Sequence, residues 1–78
     1  MRRILMDNQF DEWEAYVSGG QPGTRAAARV MFVCISTPTH RPRFVKHGSG
    51  DPAEAEHELH HMADGDLLEL FKSSEPLP

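Results

Sequence analysis

The chain has one cysteine, Cys34, so no internal disulfide can brace it. A lone thiol suits a reducing compartment. Long hydrophobic runs are missing from the start of the chain, which reads MRRILMDNQF. Two arginines precede a short apolar stretch, but acid and amide follow at once. That stretch is far too short for a signal peptide or a membrane span. The expectation is an intracellular, cytoplasmic protein with no membrane partner. Repeats and low-complexity segments are also lacking. At 78 residues the chain predicts one domain with a small core. Such a core rarely supplies more than a few kcal/mol, roughly 3–5, of net stability. With disulfides excluded, a metal or a partner subunit remains as a staple.

Acidic residues are absent between Glu14 and Asp51. That stretch carries Arg25, Arg29, Arg41, Arg43 and Lys46, with His40 and His47 beside them. From Asp51 onward the chain is strongly acidic, and Lys72 is its only basic residue. The net charge of -4 therefore hides an asymmetry. Such a split suits an anionic partner for the middle of the chain. It equally suits two halves that face each other, within one chain or across a dimer.

Residues 8 to 17 are expected as a short helix. Asp7 or Asn8 can cap it, and Phe10, Trp13 and Val17 recur at spacings of three and four. Ser18-Gly19-Gly20 then stops it, and Gln21-Pro22-Gly23 continues a loop. The alanines between Arg25 and Arg29 suit a helix or a strand. The run VMFVCIS after them is apolar and β-branched, which predicts a strand over residues 28 to 36, buried on both faces. A turn with Pro38 and Pro42 leads to RFVKH, a second and shorter strand. Ile4-Leu5-Met6 offers a third strand, since two alone are marginal in water.

Asp51-Pro52-Ala53-Glu54 is a helix start, with an N-cap, a proline at the first helical position and a glutamate three residues on. This helix runs to about Ala63, with Asp64-Gly65 as its end. Asp66-Leu67-Leu68-Glu69 opens a last short helix through about Lys72. The fold class is therefore α+β. A β-hairpin packs against an N-terminal helix and one or two C-terminal helices, over residues 1–72. Residues 73–78 form a tail.

His57-Glu58-Leu59-His60-His61 contains H-E-x-x-H. At about 100° per residue, His57, His60, His61 and Asp64 share one helix face, and Ala55, Leu59 and Met62 the opposite one. Two histidines four apart can hold Zn²⁺, and the glutamate could activate its water. No third ligand or extended pattern follows, so a hydrolase is not expected. The plainer reading is a solvated face. Lys46-His47-Gly48-Ser49-Gly50 before Asp51 could cradle a phosphate, but it lacks the P-loop pattern and Asp51 opposes an anion.

Arg25, Arg29, Arg41, Arg43 and Lys46 could contact phosphates, with Phe44 or His40 stacking on a base. No nucleic-acid motif accompanies them. Cys34, inside the apolar run, is expected as buried and structural. The leading reading is a small intracellular protein-interaction module, a homodimer or bound to an unidentified protein, without catalysis. The alternatives are a zinc-binding histidine face and an anion or nucleic-acid binder.

Overall fold

A computed structural model describes residues 2–19, 28–48 and 51–77. Its sheet grows from strict alternation in EWEAYVS. Trp13 and Ala15 are buried and Val17 is half-buried, while Glu12 is exposed and Glu14 and Tyr16 lie on the other side. Residues Arg3–Met6 form β1, Glu12–Ser18 β2, Arg29–Cys34 β3 and Arg43–Lys46 β4. Pro52–His61 form α1, Asp64–Ser73 α2 and Glu75–Pro76 β5. The five strands lie in chain order and pair antiparallel throughout. The α+β class, the third strand at the N-terminus, strands within 28–36 and 43–47 and the two C-terminal helices appear as expected, but β3 is buried on one face only: Val30, Phe32 and Cys34 are enclosed, Met31 and Val33 are half-buried and Ile35 is exposed, because both helices pack on the same side.

The helix expected over residues 8 to 17 does not form; that segment is a turn followed by β2. Trp13 and Val17 are four apart, a spacing that fits a strand of period two as well as a helix. Phe10 completed the helical stripe, but it is 80% exposed and sits in the left-handed region at φ 65°. The capping role given to Asp7 survives in another form. Its Oδ1 accepts the backbone N–H groups of Gln9 and Asp11, so it closes the β1–β2 turn. Gly19, expected to end a helix, ends β2 at φ 72°. The loop at 21–23 and Arg25 lie outside the described residues.

Both helices cover the same face of the sheet. Leu5, Trp13, Val30, Phe32 and Cys34 meet Leu59 of α1 and Leu67 of α2 in the core. Phe32 is fully enclosed, and Phe71 packs edge-on against it at 5.3 Å. Burial of such a side chain is worth about 1.5–3 kcal/mol. Asp51 caps α1 by accepting from Ala53 N–H, with Pro52 in the first turn. Leu59 and Ala55 are buried and the three histidines of α1 are exposed, which matches the separation of faces; Met62 is only half-buried.

Asp64-Gly65 was expected as the break between helices, yet both residues lie in the first turn of α2. The break is Met62-Ala63, and its cause is tertiary. The Arg3 guanidinium donates to the carbonyls of Leu59 at 2.8 Å and Met62 at 2.7 Å. A strand residue thus satisfies carbonyls that the end of α1 leaves open. In the segment expected as a tail, Glu75–Pro76 pairs with Arg43 and Phe44. No helix among the described residues is long and apolar enough to cross a membrane.

Candidate functional site

At one end of the sheet the β1–β2 turn meets the β3–β4 loop. Asp11 is the hub. Its Oδ1 accepts from Thr37 Oγ1 at 2.8 Å and Ser36 Oγ at 3.0 Å, and its Oδ2 lies 3.1 Å from His40 Nε2. The hydrogen bond from Thr37, then those from Ser36 and His40, hold the Asp11 carboxyl below the usual carboxylate range. Asp7 stands beside it. Burial pushes its carboxyl up, but hydrogen bonds from the Trp13 indole and from the Asp11 and Gln9 backbone outweigh that and lower it. The His40 ring stacks on Trp13 at 5.9 Å.

Asp11, Cys34 and His40 each place a donor atom within 4.8 Å of the others. An oxygen, a sulfur and a nitrogen are a set that zinc accepts. Here the Asp11 oxygens already serve two hydroxyls and a ring nitrogen, and Cys34 Sγ lies 3.8 Å from Ser36 Oγ. Ser36 and His40 both address the same carboxylate, and neither bonds the other among the described residues. The network ties the β1–β2 turn to the β3–β4 loop. Sequence reading missed it, because 29 residues separate Asp11 from His40 and no spacing links them.

Next to this network is a cleft of about 300 Å³, lined by Trp13, His40, Arg41, Arg43, Phe71 and Lys72 among others. Arg43 donates to Ser74 Oγ at 2.8 Å and to the Ser74 carbonyl, and lies over the Phe71 ring. Of the five basic residues expected to act together, Arg41 and Arg43 stand here. Arg29 and Lys46 are cross-strand neighbours elsewhere, on β3 and β4. One continuous basic patch is not formed by these four.

On α1, His57 and His61 contact ring to ring at 4.4 Å, and His60 meets His61 at 4.8 Å. The other two residues of interest point elsewhere. Glu58 pairs with His47 from the end of β4, and Asp64 Oδ1 takes the Arg3 guanidinium at 2.8 Å.

Among the described residues no helix packs on the second face of the sheet. Tyr16, Met31, Phe44 and Glu75 form one row across it, and Ile4, Glu14 and Val33 the next. Ile4 and Met6 are 55% and 50% exposed. Arg2 lies over Tyr16 and Arg29 over Phe44. Compared with known proteins, the chain matches no family model, no curated protein and no solved structure.

Proposed function

We propose that this protein is a non-catalytic interaction module that works as a homodimer through the open face of its sheet. The single observation that carries this reading is β3. Val30, Phe32 and Cys34 lie under the helices, while Met31 and Val33 lie on the other face with Tyr16, Phe44 and Ile4, half-buried except for the exposed Ile4, and no described helix packs there. A contiguous apolar face of this kind favours an occupant. Charge favours a second copy. Along the strands the face runs from Glu12 and Glu14, the latter already paired with Arg2, at one end to Arg29 and Lys46 at the other. A two-fold axis through its middle sets the acidic end of one copy over the basic end of the other. The same acidic end speaks against nucleic acid as the occupant, since phosphates would meet carboxylates. Residues 28–47 then contribute by face contact, because β3 and β4 have partners on both edges.

Sedimentation at micromolar concentration tests this reading. The native chain is expected as a dimer, and Met31→Lys as a folded monomer. Met31 neighbours Tyr16 and Phe44, so a lysine there keeps favourable ring contacts within one copy. A native monomer, or a Met31→Lys chain that remains dimeric, would overturn it.

A further inference from the structure

The cleft at the end of the sheet has features that the network beside it does not use. Arg41, Arg43 and Lys72 line it against one carboxylate, Asp7, in a chain whose net charge is -4. The Asp7 carboxylate is already engaged, since it accepts from the Trp13 indole at 2.9 Å and from two backbone N–H groups. One of the three cations is uncommitted and a second is only loosely held. Among the described residues Arg41 makes no hydrogen bond or ion pair. Lys72 meets only Glu69, at 3.5 Å and largely in solvent, a contact worth little. Apolar walls complete the site. Trp13 and Phe71 pack at 4.9 Å, and Pro76 closes the rim.

We propose that this cleft binds a small organic anion. Arg41 and Lys72 receive its oxyanion, and a flat apolar body lies against Phe71 and Trp13. The volume, about 300 Å³, matches the lower end of small-molecule sites. Arginine presents a planar fork that takes a phosphate or a carboxylate with two hydrogen bonds. Phosphate and carboxylate ligands therefore share this recognition, and the ring distinguishes both from inorganic anions. The site involves the helix-covered side of the sheet, so it does not depend on dimerisation.

Trp13 is the only tryptophan, and its indole N–H points into the site's own hydrogen-bond network. Its single indole resonance reports occupancy directly. Adenosine monophosphate and benzoate serve as the phosphate and carboxylate probes, with adenosine as the uncharged control. A saturable shift of the indole N–H is expected with at least one anionic probe and not with adenosine at equal concentration. Arg41→Glu is expected to weaken that binding at least tenfold, and Lys72→Gln several-fold, with both chains folded by circular dichroism. The proposal fails if neither anion shifts the resonance. It fails equally if adenosine binds as well as its phosphate, or if Arg41→Glu binds as the native chain does.

Discussion

Arg3 on β1 and Arg43 on β4 share one row across the sheet, Arg3–Ala15–Phe32–Arg43–Pro76, and each closes the C-terminal end of a different helix. Arg3 takes carbonyls at the end of α1, and Arg43 takes Ser74, the residue that caps α2. A cation at a helix C-terminus is also favoured by the helix dipole. Sheet and helices are thus joined by directed polar contacts at both ends as well as by the core between them.

Arg3→Ala should therefore lower the unfolding free energy by about 1–3 kcal/mol, the range for leaving part-buried polar groups without partners. Arg3→Lys should recover only part of this, because one ammonium cannot reach the Leu59 and Met62 carbonyls and Asp64 in the same planar arrangement. Urea denaturation measures both. Stability unchanged in Arg3→Ala would mean that water serves these carbonyls equally well.

Phe10 is the one non-glycine residue with positive φ among the described residues, and its ring is largely in solvent. The left-handed region costs a residue with a Cβ roughly 1–2 kcal/mol. Glycine removes that cost but adds freedom to the unfolded chain. Phe10→Gly should be more stable by about 0.5–1 kcal/mol. A drop in melting temperature would show that the Phe10 ring makes contacts worth more than the strain.

Asp7 and Asp11 both have carboxyls lowered by hydrogen bonds in the folded state. The unfolded chain binds protons more readily at these groups, so stability rises with pH through their titration. Their contribution is complete above the ordinary aspartate value of about 3.9 and is lost as pH falls below it through the folded values. Melting temperature measured below about pH 4 should fall less steeply in Asp11→Asn than in the native chain. Parallel acid limbs would refute a role for Asp11 in acid sensitivity.

His57→Ala combined with His61→Ala should change stability by less than about 0.5 kcal/mol, as for ordinary surface positions. All three α1 histidines are exposed, and Asp64 belongs to Arg3. Added zinc should leave the melting temperature of native and double-variant chains alike. A zinc-dependent rise confined to the native chain would establish a site on this face, since a ligand for the folded state stabilises by mass action.

Local signals were legible where one element type satisfied every residue. Asp51-Pro52 begins α1 because its cap and proline act within a single turn. The run at β3 is almost wholly apolar and includes Val30 and Val33, which favours a strand. The segment at β2 was ambiguous because Trp13 and Val17 obey both periods. Only pairing with β1 and β3 chose between them, by placing Leu5 opposite Trp13 and Val30 opposite Val17. The two residues of β5 carry no periodic signal at all, and exist as a strand because β4 stands beside them.

The sequence by itself determined the α+β class, the cap and wet face of α1, the burial of Cys34 and the crowding of basic residues before Asp51. Each of these depends on neighbours within a few positions, or on composition. The tertiary structure alone decided that Arg41 and Arg43 part from Arg29 and Lys46, that Asp11 meets His40, and that both helices pack on the same face of the sheet. Strand pairing sends alternate residues to opposite faces. It also brings together loops that are distant in the chain, so where each charge arrives depends on contacts that no local pattern encodes.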